Sequence, residues 1–530
     1  MAPERHLIGV DVGTSSARAG VFDAAGHLRA AASRPIAIWH DEGGVVEQSS
    51  ADIWAAVCAA VRKAVARAGI GGDSVAGIGF DATCSMVVLG AGGVSLPVGP
   101  SGDPQRDVIV WMDHRAIDPG DRINAGGHAV LRHVGGRISP EMQTPKLLWL
   151  AEHRPQVFGQ AWQFFDLVDF LTWKATGALD RSACTVTCKW TYLAHEGRWD
   201  AGYFRAIGLG VLADEGFRRI GARIVSPGTA LAAGLTAEAA GQLGLPAGTP
   251  VGAGLIDAHA GGLGTVGLEG SPTGNVAYVF GTSSCTMTST RDPVFVPGVW
   301  GPYHDSMVPG LWLNEGGQSA AGAAIEQLLL HHPAAPEATA AASADGLSLP
   351  AWLARRAEGR PVTELIRGLH VVPEFLGNRA PLADPRMRAV IAGLGMERDV
   401  DSLLALYLAG LTGIGYGLRQ ILDAQDAARA PTRRIVISGG AGSAPLVRQL
   451  LADAAARPLA ATDCREPVLL GAAILGGVAG GVHPDVPTAM AAMTRAAGSH
   501  LPDPATAALH AARHAAYLAL QSLGREIRDC

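Results

Sequence analysis

The sequence predicts an α/β protein of two similar domains that face one cleft. Three observations carry that prediction. The tetrapeptide Gly-Thr-Ser-Ser occurs at residues 13–16 and again at residues 281–284, about half the chain apart. Each copy follows a short β-type run, residues 7–12 and residues 276–280, so each reads as strand, tight Gly-hydroxyl turn, strand. Four loops at expected strand ends gather Asp, Thr, Ser and Gly: residues 11–16, 81–85, 257–262 and 281–285. A hydroxyl-rich Gly turn exposes N–H and Oγ donors that suit phosphate, and open α/β sheets bind ligands at the carboxyl ends of their strands. A repeat at half-length therefore points to two like domains around one nucleotide.

The elements follow in order. Residues 7–12, 17–22 and 28–38 read as a strand meander, with residues 23–26 as a hairpin turn. Ser50–Ala68 is an amphipathic helix with Asp52 near its start and a stripe of Ile53, Trp54, Val57, Val61 and Val65. Residues 75–80 and 108–112 are further strands, the second ending at Asp113, His114 and Arg115. Residues 145–153 open a helix, and residues 249–255 are a strand leading to Asp257. In the second half, Asn275–Phe280 leads into the second turn, residues 401–423 form a long helix, and Arg434–Ser438 is a buried strand. A helix over residues 444–457 and a small-residue helix over residues 469–478 complete the pattern. The Ala/Pro/Ser-rich residues 332–347 read as a surface excursion, and the domain boundary falls near residues 262–272.

A chain of 530 residues should hold more than one domain and bury large cores. With 48% hydrophobic and 17% charged residues it lacks the composition of a disordered chain. The net charge of −6 and the absence of any basic block argue against nucleic acid or an anionic membrane as partner. Seven scattered cysteines without paired CxxC clusters argue for reduced thiols in a cytoplasmic protein. Cys184 and Cys188 share one helix face, but no second ligand pair accompanies them in sequence, so zinc is not expected. A strand begins within six residues of the N-terminus, which leaves no room for a signal peptide. The uncharged residues 467–482 are too short and too glycine-rich for a spanning helix. Base rates alone favour an even homo-oligomer.

Two carboxylates stand out. Asp11 lies two residues before the first turn. An acidic side chain beside a phosphate loop repels phosphate unless a cation intervenes, so Asp11 implies Mg²⁺, bound directly or through water. Its bland alternative is a turn-capping Asp. Asp257 follows a strand and is expected to cap a helix over residues 258–263, whose N-terminus would keep it ionised. An ionised Asp beside a hydroxyl can also accept its proton during phosphoryl transfer. Gly439, Gly440, Ala441 and Ser443 form a strand-to-helix turn that admits a ligand close to the backbone, without the Lys of a Walker P-loop. Lys189 and Glu315 each read equally as solvated or as contacts to a polyol.

Taken together these loops resemble the FGGY family of carbohydrate kinases, from residue 8 to about residue 481. The motifs are Asp11-Val-Gly-Thr-Ser-Ser, Gly281-Thr-Ser-Ser, Gly439-Gly-Ala-Gly-Ser-Ala-Pro and Gly471-Ala-Ala. Pro145-Lys-Leu-Leu-Trp-Leu looks like the family's first signature, and residues 410–423 sit where the second is expected. Residues 79–85, 111–115, 256–262 and 375–381 are most similar to the D-ribulokinase branch, although Leu376 and Ala380 stand where that branch usually has His and Ser. The resemblance implies the actin/hexokinase/heat-shock-type ATPase fold, with domains over residues 1–266 and 267–530. It implies ATP and Mg²⁺, with ATP mainly on the second domain and the sugar on the first. Asp257 would be the general base and Asp11 the metal-side carboxylate. Gly13, Thr14, Ser15, Gly281, Thr282 and Ser283 would grip phosphates. Gly439, Gly440, Ala441 and Ser443 would lie beside the adenosine, and Ala82, Lys189, Asp257 and Glu315 would line the sugar site. The expected substrate is a ketopentose, D-ribulose first, with ribitol, L-ribulose and D-xylulose as alternatives. An actin- or chaperone-like ATPase switch is the alternative of another class.

Overall fold

The computed structural model describes residues 4–528, without the side chains of Glu269 and Ala441. Cys530, one of the seven cysteines, lies outside the described residues. The first half is built on a five-stranded sheet of β1 (His6–Val12), β2 (Ser16–Asp23), β3 (Leu28–Pro35), β4 (Val75–Ala82) and β5 (Val251–Ile256), in the order β5-β4-β1-β2-β3. β1 pairs antiparallel with β2 across the Gly13 turn and parallel with β4, which in turn pairs parallel with β5. β1 is buried along its whole length, with Leu7, Ile8, Val10 and Val12 fully so, as a strand covered on both faces requires.

The second half repeats that order. β6 (Asn275–Phe280), β7 (Ser284–Thr290), β8 (Trp300–His304), β9 (Trp312–Gln318), β10 (Arg434–Ser438), β11 (Leu459–Thr462) and β12 (Ala496–His500) form a sheet ordered β8-β9-β7-β6-β10-β11-β12. β6 pairs antiparallel with β7 across the Gly281 turn and parallel with β10, and β10 pairs parallel with β11. β6 thus holds the place of β1, and β10 and β11 those of β4 and β5.

α1 (Ser50–Ala68) covers the first sheet, its N-terminus capped where Ser49 Oγ accepts the Asp52 N–H. Its stripe runs through Ile53, Trp54, Val57 and Val61 as expected and adds Ala56, Ala60 and Ala64, while Val65 is only half-buried. In the second half a helix over Val400–Ala427 crosses the core. It is long and apolar enough to span a bilayer by length and composition, yet most of it is buried between the second sheet and its neighbouring helices. The helices Asp257–Val266 and Pro467–Ala479 pack against each other between the halves. The second belongs to the C-terminal half in sequence but lies on β1 and β4 of the first sheet. Backbone meets backbone there: a Cβ on Gly79 would sit 2.0 Å from the Ala472 carbonyl oxygen, and one on Gly471 would sit 2.0 Å from that of Ala260. The small residues of that helix are therefore a packing requirement.

Four expectations change. The strand over residues 108–112 shrinks to Val108–Ile109, in a separate sheet with Val45–Gln48 and Met86–Gly90, because the chain turns into a loop once Val110 has paired with Val46. The strand expected to reach residue 38 ends at Pro35, where the ladder to β2 runs out. Residues 332–347 are no excursion. Ala335–Ala344 is a helix that seats Ala338 and Ala342 in the second core, since alanine at helical spacing packs closely without polar cost. The helix expected over residues 258–263 begins one residue earlier and runs to Val266.

Candidate active site

Parallel pairing decides where the carboxylates meet. In the register of β1 with β4, Asp11 lies opposite Asp81 and Val12 opposite Ala82; in the register of β4 with β5, Ala82 lies opposite Ile256, the residue before Asp257. Asp11, Asp81 and Asp257 thus come to one sheet edge. Asp11 is buried and takes a hydrogen bond from Arg18 Nε at 2.7 Å, while Arg18 Nη1 reaches Glu466 Oε2 at 2.9 Å. Asp81 is fully buried and neither carboxyl oxygen meets a donor among the described residues. Burial first, then the Asp11 and Asp257 charges, hold its pKa well above the carboxylate range. Sequence reasoning passed over Asp81 because only its register neighbour made it noteworthy.

Asp257 is the first residue of its helix, not the N-cap; Ile256 holds the cap position and offers no side-chain acceptor. Asp257 Oδ1 accepts the Ala258 N–H at 2.7 Å. Burial, then the Asp11 charge, outweigh the backbone hydrogen bond and raise its pKa to about 6, which leaves the carboxylate mostly ionised at neutral pH.

Both turns close on one backbone bond: Gly13 N–H to Ser16 O at 3.0 Å, and Gly281 N–H to Ser283 O at 3.0 Å. Ser15 and Thr282 stand exposed. Thr14 is held on two sides, its Oγ1 taking the Trp111 Nε1–H at 3.0 Å and its carbonyl taking the Gln48 amide at 2.7 Å. Gly439 has φ +96°, and a Cβ there would lie 2.4 Å from the Phe280 carbonyl oxygen, so glycine is obligatory where the loop crosses the end of β6. Between this loop and the Gly281 turn lies a cavity of about 360 Å³, within the usual range for small-ligand sites. Gly281, Thr282, Gly440 and Ser443 line it, and Tyr407 and Ala351 join them. The last two come from helices Val400–Ala427 and Leu349–Ala357 and carried no local signal. The backbone of Ala441 continues the turn.

A second wall faces the carboxylate edge. Lys189 ends the short helix Ala183–Lys189, and its Nζ lies 5.7 Å from the Trp300 ring centre. Arg379 covers the same ring at 5.8 Å. Glu315, on β9, meets His259 Nε2 at 3.3 Å. Burial opposes its charge, but the His259 hydrogen bond and the Lys189 charge bring its pKa down to about 2. Lys189 in turn is raised above the lysine range despite burial, by the neighbouring Cys84 and Glu315. Ala82 is fully buried at the end of β4, between Val12 and Ile256. The wall therefore draws on both halves, with Glu315, Trp300 and Arg379 from the second. Of the departures from the branch pattern, Leu376 points to solvent and Ala380 packs in a small apolar cluster.

Two α/β halves of like topology, a hydroxyl turn in each, a carboxylate edge and an adenosine-sized cavity define a protein of the actin/hexokinase/heat-shock-type ATPase fold. The chain belongs to the FGGY family of carbohydrate kinases: the N-terminal domain of that family matches residues 6–264 and its C-terminal domain residues 276–480. An FGGY carbohydrate kinase domain-containing protein of Homo sapiens is 46% identical over 508 residues, covering 93% of this chain and 92% of the relative. A D-ribulokinase of Saccharomyces cerevisiae is 37% identical over 513 residues, covering 90% and 72%. Among solved structures, a xylulose kinase from Rhodospirillum rubrum shares the fold with a TM-score of 0.81 at 24% identity, over 99% of this chain and 100% of that one. A Plasmodium falciparum glycerol kinase with ADP gives 0.79 at 15% identity, over 97% and 98%. The protein is a sugar kinase on the ribulokinase-like side of its family.

Proposed function

We propose that the protein transfers the γ-phosphoryl group of ATP to the terminal hydroxyl of a ketopentose, D-ribulose foremost. The observation that carries the reading is Asp257: a half-buried carboxyl with a pKa of about 6, set between the Asp11–Asp81 edge and the Lys189–Glu315 wall. A general base works best when its pKa lies near the operating pH. Similarity to the yeast D-ribulokinase favours D-ribulose within the pentuloses.

ATP would lie with its adenosine in the cavity beside Gly440 and Ser443 and its phosphates toward the two turns. The ketopentose would sit against Trp300, with Lys189 donating to sugar oxygens and Glu315 accepting from sugar hydroxyls. Asp257 would accept the terminal O–H proton as that oxygen bonds to phosphorus and the bond to the ADP oxygen breaks. N–H groups and hydroxyls of Gly13, Thr14, Ser15, Gly281, Thr282 and Ser283 would face the charge that develops on the transferring group. The hard oxygen donors at Asp11, backed by the orphaned carboxyl of Asp81, fit a divalent cation such as Mg²⁺. When bound, that cation supplies charge neutralisation at the phosphates.

The test is ADP release with ATP–Mg²⁺ over D-ribulose, L-ribulose, D-xylulose, ribitol and glycerol, with a no-sugar control. D-ribulose-dependent turnover with little on the others supports the reading. Strong turnover on another polyol keeps the mechanism and moves the substrate. Equal turnover without sugar points instead to an ATPase switch.

A further inference from the structure

The pair of cysteines that sequence spacing put on one helix face has a third partner in space. Cys184 and Cys188 lie one turn apart on Ala183–Lys189, and the helix Asp257–Val266 presses His259 against them. The two sulfurs and one ring nitrogen all lie within 4.8 Å of one another, and Cys184 Sγ is 3.1 Å from His259 Nδ1. Each of the three side chains is at most 1% exposed. The other ring nitrogen, Nε2, is taken by Glu315 at 3.3 Å. With Nε2–H donated to Glu315, the imidazole turns its Nδ1 lone pair toward the sulfurs, the carboxylate–histidine arrangement that orients metal-binding imidazoles.

We propose that Cys184, Cys188 and His259 bind one thiophilic divalent cation of the zinc or cadmium class, at the inner side of the sugar wall. The donor set of two thiolates and one imidazole leaves a fourth tetrahedral position open. Metal–sulfur and metal–nitrogen bonds of about 2.3 and 2.0–2.1 Å imply a sulfur–nitrogen edge of roughly 3.5 Å. Cys184 and His259 need only part by a few tenths of an ångström to reach it. Coordination forms two bonds to sulfur and one to Nδ1, and the protons carried by either thiol, and by Nδ1 when the ring is charged, leave to solvent. Cys188 is the more readily ionised of the two thiols: burial opposes its charge, but its contacts with Cys184 and His259 favour it.

Occupancy acts on the sugar wall. Cys188 directly precedes Lys189, and His259 is the hydrogen-bond partner of Glu315. The bound ion weakens sugar binding and leaves ATP binding in the opposite cavity unchanged.

The full chain, stripped with a chelator, is titrated with Cd²⁺ and followed by the ultraviolet cadmium–thiolate charge-transfer band, with Co²⁺ as a second probe of tetrahedral geometry. One equivalent per chain is expected. The band should vanish in both Cys184→Ser and Cys188→Ser and persist in Cys58→Ser, whose thiol is remote from the cluster. Absence of the band in the wild-type protein, or its survival in both cluster variants, overturns the site. The wild-type arm needs no variant to fold. With Zn²⁺, the sugar KM should rise several-fold while the ATP KM holds, and chelation should reverse the rise; an unmoved sugar KM overturns the coupling to the sugar wall.

Discussion

The two halves place the same five strands in the same order, yet equivalent positions carry opposite chemistry. Two residues before the first turn stands Asp11; two before the second stands Val279. The strand beside β1 ends in Asp81 and Ala82, and its counterpart beside β6 ends in Ser438 and is followed by Gly439. β5 of the first sheet runs into Asp257. One half thus concentrates carboxylates at its strand ends, and the other clears space there with glycine. A duplicated scaffold fixes only where a ligand can sit. The residues at the strand ends set the two halves apart, carboxylates on one side and glycine on the other.

The largest effect should come from the carboxylate side. Asp257→Asn removes the proposed base while keeping shape, and should lower sugar-dependent kcat by about 10²–10⁴-fold with no loss of thermal stability. Near-wild-type turnover would break the assignment. On the glycine side, Gly439→Ala forces a side chain onto the Phe280 carbonyl at a positive φ. ATP affinity measured by calorimetry should fall about tenfold or more, the backbone strain being worth roughly 1–3 kcal/mol. Gly13→Ala meets nothing closer than 3.8 Å and should fold and bind ATP nearly normally; equal damage from both would erase the contrast between the turns.

The pH profile sharpens the comparison further. Asp257 must be ionised to act, so kcat/KM should fall about tenfold per unit below pH 6. An acid limb that survives unchanged in an active Asp257 variant would assign that limb elsewhere. The smallest effect concerns Asp81, whose pKa in the folded protein lies well above its ordinary 3.8. Between those values the folded state holds a proton that the unfolded state has lost. Stability is therefore present at low pH and drains away as pH rises. Asp81→Asn removes that drain, so metal-free Asp81→Asn protein should gain melting temperature over wild type at pH 8 and little at pH 4. A pH-independent difference would show that Asp81 is not held neutral.

Strands and their turns were legible because they are local. The duplicated tetrapeptide, the β-type run of β1 and the capped stripe of Ser50–Ala68 each write their signal within a few residues, and Asn275–Phe280, Arg434–Ser438 and Ser50–Ala68 fall at the ends expected of them. The sugar wall was half legible. Lys189 and Glu315 stood at even odds between solvent and a polyol until the family resemblance favoured the polyol, since no local pattern distinguishes a ligand-facing lysine from a solvated one. Trp300, whose ring lies beside both Lys189 and Arg379, carried no signal at all, and Arg379 stood out only as part of the motif over residues 375–381.

By itself the sequence determined the α/β class, the two-fold repetition and the two phosphate-type turns, because hydrophobic period and glycine turn chemistry act over neighbouring residues. Only the tertiary structure decided which charges share a site. Parallel register brought Asp81 beside Asp11, helix packing brought His259 onto Cys184 and Cys188, and a helix from the far end of the chain came to lie on the first sheet. Burial and charge fall off with distance in space rather than along the chain. The pKa of Asp257, and the pairing of cysteines with a histidine, therefore exist only once the chain has folded.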